Sequence, residues 1–210
     1  MKISTKVQKA LDGARFHLMG FAAVSGLAIT VITATLLPAN SYAETLNLPL
    51  PPGNLAEHPQ ANEAINCQKQ WVSDGDTVNA SCEGQGQKTR IRLYCIDAPE
   101  TSQGEWGKAA GAHLEKMMDY RFKLIVQDTD RYGRLVGEVF NQDGRNLNIE
   151  MVGTGAASVY KSYCNESHYY DIEKFAKKNG FGVWKSDDPL IQSPWDYRKQ
   201  QRTQSTNFNR

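Results

Sequence analysis

Between Lys88 and Ile96 apolar and polar residues alternate: Ile91, Leu93 and Cys95 fall on one side, Arg90, Arg92 and Tyr94 on the other. That period of two belongs to a strand with one buried face, and Pro99 ends it. Shorter runs of strand composition lie on either side: Gln68–Val72, Thr77–Cys82, Phe122–Val126 and Leu135–Phe140. The first two flank Ser73-Asp74-Gly75-Asp76, and the last two flank Asp128-Thr129-Asp130-Arg131-Tyr132-Gly133. Both inserts are rich in residues that turn a chain. Elsewhere the period lengthens. Over Gly107–Met118 the apolar residues Ala110, Leu114, Met117 and Met118 share a helical face. Leu147–Val152 reads as a short helix closed by Gly153, and His168–Lys178 as a last helix stopped by Asn179-Gly180. Ala157–Tyr160 is a short extended piece. Five short strands with about three helices make an α+β domain, for which a small closed barrel of the OB type is one solution. Periodicity alone does not choose it over other α+β folds.

The ends of the chain carry no such period. Lys2, Lys6, Lys9 and Arg15 make a basic start, Leu18–Leu37 runs almost wholly apolar, and small residues lead to Ser41-Tyr42-Ala43. That order matches a cleaved secretory leader over residues 1–43, and it predicts a secreted or periplasmic protein. An uncleaved anchor is the alternative, because an apolar run of 20 residues is long enough to span a bilayer. With the leader gone, no stable membrane association is expected, and a monomer is the default. Residues 44–64, with Pro49, Pro51, Pro52 and Pro59, read as a linker or loosely attached arm. One domain is expected over residues 65–199, and a polar, frayed tail over 200–210.

Charge and cysteines narrow the classes further. The chain holds 24 Lys and Arg against 23 Asp and Glu; without the leader's four basic residues and one acid the counts are 20 and 22, a formal net charge of −2. That excludes the global basic footprint of a tight nucleic-acid binder and leaves any such contact to a local Arg cluster or a metal ion. Cys67, Cys82, Cys95 and Cys164 all lie beyond the leader. An even count there predicts two disulfides, and the absence of a Cys-x-x-Cys pair argues against zinc. Cys67 and Cys82 are equally far from the turn at Asp74-Gly75, so an antiparallel hairpin sets them opposite each other. Cys95 is then left to Cys164, a bridge closing a loop of about 70 residues and contributing about 4 kcal/mol in the chain-entropy model.

Candidate chemistry sits at the turns and strand ends. Taken singly, Asp74-Gly75-Asp76-Thr77 is an ordinary turn, Asp97-Ala98-Pro99-Glu100 a solvated loop, Arg92 an exposed strand cation and Arg134 a charge after a turn. Together they form an ordered set. The chain presents Asp-Gly-Asp-Thr from Asp74, then Ile-Arg-Leu-Tyr-Cys-Ile-Asp-Ala-Pro-Glu from Ile91, then Asp-Arg-Tyr-Gly-Arg from Asp130. Gly155-Ala156-Ala157-Ser158-Val159-Tyr160, Gly182-Val183-Trp184 and Pro194-Trp195-Asp196-Tyr197-Arg198 follow. With these motifs the sequence resembles the staphylococcal-nuclease, or thermonuclease, family over about residues 68–184.

The resemblance implies an OB-fold barrel and a calcium-dependent, sugar-nonspecific hydrolase of DNA and RNA that leaves 3′-phosphates. By position it gives Asp76, Asp97 and the Ala98 carbonyl to a calcium ion, with Asp74 beside it through water. Glu100 matches the general base, and Arg92 and Arg134 match the pair that grips the scissile phosphate. Tyr132, Tyr160 and Tyr163 would flank the nucleotide, although Tyr160 and Tyr163 are equally readable as packing residues. Calcium takes more hard oxygen ligands than two carboxylates and a carbonyl supply, so waters and a substrate phosphate complete such a site. A guanidinium fork pairs two phosphoryl oxygens at once, which Lys cannot do. The alternative is a non-catalytic OB module that binds single-stranded nucleic acid in the cell envelope; the presence of Asp76, Asp97, Glu100, Arg92 and Arg134 together favours catalysis. The sequence departs from the staphylococcal enzyme in having Ala98 in place of Thr, a shorter loop after Glu100 and an acidic rather than basic balance.

Overall fold

Asp74 and Thr77 face each other across the Gly75-Asp76 connection, so the expected turn closes a hairpin between β1 (Ile65–Asp74) and β2 (Thr77–Cys82). In this computed structural model residues 55–187 and 189–208 are described. The expected leader and the first part of the arm at 44–64 lie outside them. β2 pairs antiparallel with β3 (Thr89–Leu93), and β3 runs parallel to β6 (Leu135–Phe140). β6 pairs antiparallel with β5 (Arg121–Thr129), and β5 returns to β1, closing a five-stranded barrel. Closure satisfies the edge strands that an open sheet would expose. Val78, Ile91, Leu93, Leu124 and Val139 point inward and are essentially solvent-free. The fold is therefore α+β, a barrel of the OB type with four packed helices among the described residues.

The helices pack by the faces their sequences present. α1 (Glu105–Met117) buries Gly107, Ala110 and Leu114, one stripe at helical spacing. α2 (Leu147–Gly153) is buried along its whole length and starts at Asn146, whose side chain accepts from the backbone N–H of Asn148 and Ile149. α3 (Ser167–Lys178) buries Tyr169, Ile172, Glu173 and Ala176. α4 (Pro194–Phe208) is the helix that periodicity does not announce. It runs on to Phe208, where a frayed tail is expected from Gln200. Its start is a local device: Ser193 Oγ accepts from the Asp196 N–H at 3.2 Å and donates to Asp196 Oδ2 at 2.7 Å, and Pro194 occupies the first turn.

The expected strand from Lys88 to Ile96 is broken at Tyr94-Cys95. Cys95 adopts a φ of 65°, the left-handed region that a non-glycine residue rarely enters. The chain thereby leaves the barrel, and β4 (Ile96–Asp97) pairs antiparallel with β7 (Ser158–Val159). Asn148, fully buried on α2, secures the break. Its Nδ2 donates to the carbonyls of Tyr94 and Gly137, both at 3.0 Å, and its Oδ1 accepts from the Val139 N–H at 3.0 Å. A second buried knot lies at Glu138 on β6. Oε1 accepts from Tyr169 Oη at 2.7 Å and Asn146 Nδ2 at 2.9 Å, and Oε2 lies 2.7 Å from His58 Nε2. Part of the proline-rich arm is thus docked on the barrel through His58. Among the described residues no helix is long and apolar enough to cross a membrane.

Cys67 is bonded to Cys82 and Cys95 to Cys164, with Cα separations of 4.1 and 4.5 Å. The first bond joins direct partners across the β1–β2 hairpin. The second ties the β3–β4 break to the segment after β7. The sequence separations are 15 and 69 residues. Replacing Cys95 and Cys164 together by Ala should lower the unfolding free energy by about 4 kcal/mol, against about 3 kcal/mol for the Cys67–Cys82 pair. Urea denaturation of the two double variants measures both losses; a larger loss from the shorter loop would rule out loop entropy as their source.

Candidate active site

Three separate stretches of chain meet at one end of the barrel: the β1–β2 turn, the end of β4, and α4. The turn reaches the others because Gly75 has no side chain. A Cβ there would lie 2.6 Å from Ala98 Cβ and 2.7 Å from Ala110 Cβ, inside van der Waals contact. Asp76 is consequently held against the β4 segment. Its Oδ2 accepts from the Ala98 N–H at 2.9 Å, and its Oδ1 accepts from Thr77 Oγ1 at 3.1 Å. Asp74 Oδ1 accepts from the Asp76 N–H at 3.0 Å, which sets a third carboxylate beside the pair. Asp97 is fixed by its strand pairing to Ser158 and by Ser158 Oγ, which donates to the Asp97 carbonyl at 3.1 Å.

Arg92 lies on β3 opposite Thr77, with its side chain largely covered rather than spread over an exposed face. One nitrogen, Nη2, is 3.0 Å from Asp76 Oδ2 and 3.3 Å from Asp97 Oδ1. The other, Nη1, donates to the Leu93 carbonyl at 2.7 Å. The structure thus brings together Asp74, Asp76, Asp97, Ala98 and Arg92. Arg134 follows the β5–β6 turn and is paired with Asp130, its Nε donating to Asp130 Oδ2 at 2.6 Å. Its guanidinium lies 5.7 Å from the centre of the Tyr132 ring, which is 68% exposed. Arg134 and Tyr132 therefore make a second, more open group. Leu135 follows Arg134 and pairs with Ile91 across the parallel β3–β6 ladder, so this group borders the strand that bears Arg92.

The charge balance at the carboxylates is incomplete. Asp97 is pushed up to about 6 by burial and then by the Asp76 charge, which outweigh the opposing pull of Arg198 and Arg92. Asp74 is likewise pushed up to about 6, by burial first and Asp76 second. Among the described residues no three acidic, His or Cys side chains converge into a metal cage. What the chain does present is two buried carboxylates, a third beside them and excess negative charge. Hard oxygen donors in that arrangement fit a divalent cation at an open site, where other ligands complete the shell.

Sequence reasoning does not assign Arg198, although the motif Pro194-Trp195-Asp196-Tyr197-Arg198 contains it. In the structure Arg198 is part of the centre. Nη1 donates to Glu100 Oε1 at 2.6 Å and Nη2 to Asp97 Oδ1 at 2.8 Å. Burial works against the charge, but the hydrogen bonds to Glu100 and Asp97 more than offset it and raise the guanidinium above its ordinary value. Gln103 couples the Glu100 loop to the chain entering α4. Its Oε1 accepts from the Glu100 N–H at 2.9 Å, and its Nε2 donates to the Gln192 carbonyl at 2.9 Å. Tyr197 Oη adds a bond to the Ser102 carbonyl at 3.2 Å. Tyr160 packs between Arg92 and Arg198, while Tyr163 stands mostly in solvent beside it. The signal available in the sequence was the helix start at Ser193, Pro194 and Asp196, which places Arg198 one turn inside a helix.

Comparison with known proteins gives one consistent result. A family model described as staphylococcal nuclease homologue matches residues 90–186. An uncharacterized endonuclease of Haemophilus influenzae is 33% identical over 143 residues, covering 68% of this chain and 78% of that protein. A micrococcal nuclease of Shigella flexneri is 33% identical over 142 residues, 61% of this chain and 77% of its own. Endonuclease YhcR of Bacillus subtilis is 33% identical over 150 residues, covering 62% of this chain and 12% of that much longer protein.

Gly107 offers a test of how tightly the Glu100 loop is held. A Cβ on Gly107 would lie 1.9 Å from the Glu100 carbonyl oxygen and 2.8 Å from Thr101 Cα, both backbone atoms. Gly107→Ala should therefore lower the unfolding free energy by about 1–3 kcal/mol, the usual cost of overpacking. An unchanged urea midpoint would mean that the loop has room to move.

Proposed function

The chain belongs to the staphylococcal nuclease family and is a hydrolase of nucleic acids, and from that premise we propose that it is a calcium-dependent, sugar-nonspecific nuclease leaving 3′-phosphate products. What carries the reading is the single hydrogen-bonded set formed by Asp76, Asp97, Arg92, Arg198 and Glu100. Asp76, Asp97 and the Ala98 carbonyl would hold the calcium ion, with Asp74 acting through water. When bound, the ion would offset charge growing on the phosphoryl oxygens. The family chemistry directs attack so that the bond on the 5′ side of phosphorus breaks.

The chain's own groups have separable tasks in this reading. Glu100 gives Oε1 to Arg198, which leaves Oε2 to accept the proton or the hydrogen bond of the attacking water. Arg92 and Arg134 present guanidinium forks to the phosphate, where donors aimed at developing charge contribute most. Arg92 is already fixed by the carboxylates, so it loses little freedom when substrate arrives. Arg134 exchanges its bond to Asp130 for one to phosphate. Tyr132, Tyr160 and Tyr163 offer ring faces to bases without reading them. DNA and RNA share the phosphodiester that these groups address. In this reading residues 1–43 are a cleaved leader of a secreted or periplasmic enzyme and 44–64 its arm, and the nuclease domain starts at residue 65 and takes in the whole of α4; the enzyme works as a monomer.

Metal dependence is checked by following cleavage of DNA with purified enzyme. Activity should appear with millimolar calcium, stop with a chelator, and be far lower with magnesium, which is smaller and stricter in its geometry. Equal rates in the two ions would sink the assignment of Asp76 and Asp97. For the side chains, Glu100→Gln should lower turnover by about 10²-fold or more while calcium binding is kept. Arg92→Lys and Arg134→Lys should also be severe, because a point charge does not replace a fork. Wild-type turnover in any of these variants removes that residue from the reaction.

A further inference from the structure

Helix α4 bears Trp195, Arg198 and Arg202, spaced three and four residues apart and so on one face. Along that face cations and rings alternate. Arg92 lies 6.0 Å from the centre of the Tyr160 ring, and Arg198 lies 5.7 Å from Tyr160 and 6.0 Å from Trp195. Arg202 is 5.5 Å from Trp195. Tyr160 also contacts Tyr163 and Trp195, with ring centres 4.7 and 5.8 Å apart. The series begins at Arg92 among the buried carboxylates and ends at Arg202 on the surface.

Three features of this face point to a ligand. Trp195 and Tyr163 remain 40% and 64% exposed, although both are large rings. Tyr160 lies beside both rings, and Arg198 and Arg202 lie over the Trp195 ring, so the partly exposed ring is bordered by cations. Arg198 is committed to Glu100 and Asp97, whereas among the described residues no carboxylate pairs with Arg202. A partly exposed ring beside a guanidinium with no carboxylate partner, in line with the proposed phosphodiester site, matches the base and phosphate of a nucleotide. A duplex keeps its base faces covered, so only an unpaired nucleotide can stack on such rings.

We propose that the Trp195–Arg202 face of α4 is a subsite for an unpaired nucleotide of a single-stranded substrate, one that continues away from the phosphate at Arg92. Trp195 stacks the base, and Arg202 takes a phosphate beyond it. The subsite rests on the nuclease reading of the Arg92 centre and assigns to α4 the residues that would hold the strand beyond the cleaved phosphate.

The test separates binding from turnover. Fluorescence anisotropy in excess chelator measures the affinity of the full protein for oligothymidylates of about two and about eight nucleotides, spanning the lengths over which stacking platforms operate. Trp195→Leu should weaken binding of the longer strand by about tenfold, the effect of losing one stacked base. The loss should grow with strand length and be smaller on a duplex of the same length. Arg202→Gln changes an exposed side chain, so it serves even if Trp195→Leu fails to fold. It should lower the slope of log affinity against log salt by about 0.7, the contribution of one phosphate on a single strand. Equal losses on both lengths, an equal loss on duplex, or wild-type affinity and salt slope in Arg202→Gln would overturn the subsite. Cleavage by the wild-type enzyme with calcium is read separately: if it is absent, the nuclease reading fails; if it is present while the variants bind as wild type, only the subsite fails.

Discussion

Asp76 comes from the β1–β2 turn and Asp97 from β4; both are buried and share one nitrogen of Arg92 at 3.0 and 3.3 Å. Like charges taken out of water repel strongly and lose their hydration, so such a pair persists only if cations and donors surround it. Arg92 supplies one cation, Arg198 a second, and the Ala98 N–H and Thr77 Oγ1 supply donors. Even so, Asp97 and Asp74 are held near 6 by burial and by Asp76. The excess negative charge is what the proposed divalent cation would offset before an anionic phosphodiester could approach, and it is the reason the neighbouring cations and donors are held so tightly.

That holding is distributed over backbone features. Gly75 admits the hairpin turn against Ala98 and α1, and Gly107 admits the Glu100 carbonyl against α1. Asn148 fixes the point where β3 stops, the left-handed Cys95 turns the chain, and the bond to Cys164 anchors that turn two residues before Asp97. Each of these acts on the position of a carboxylate without touching a substrate. An active centre assembled this way is preorganised, since the groups need little rearrangement when charge develops.

Much of this was legible in the sequence. Strand composition between turn signals marked β2, β5 and β6, alternation marked β3, the symmetric spacing of Cys67 and Cys82 matched their register, and the ordered Asp and Arg motifs named the family. The break at Tyr94-Cys95 was not legible. Alternation runs straight through it, and its causes are a buried Asn148 and a bridge to Cys164, both far away in sequence. Helix α4 escaped for a different reason: it has no apolar stripe, so a periodicity built on burial has nothing to detect. Its docking depends on polar contacts from Gln103, Tyr197 and Arg198, and a partner such as Glu100, 98 residues away, cannot be read from spacing. The docking of His58 on Glu138 was hidden likewise, since a proline-rich arm predicts nothing about one of its side chains.

The brace from Arg198 follows the acids it joins by 98 residues for Glu100 and 101 for Asp97. Synthesis runs from the first residue to the last, so the ribosome finishes the barrel strands and all the acids before Arg198 exists. Until then Asp97 lacks its second guanidinium and Glu100 its partner. The order of manufacture therefore makes this brace the last part of the acidic centre to be supplied. A single nick in the stretch between Trp184 and Pro194, where Ile191 is almost fully bare, would detach that brace while leaving every strand of the barrel in place.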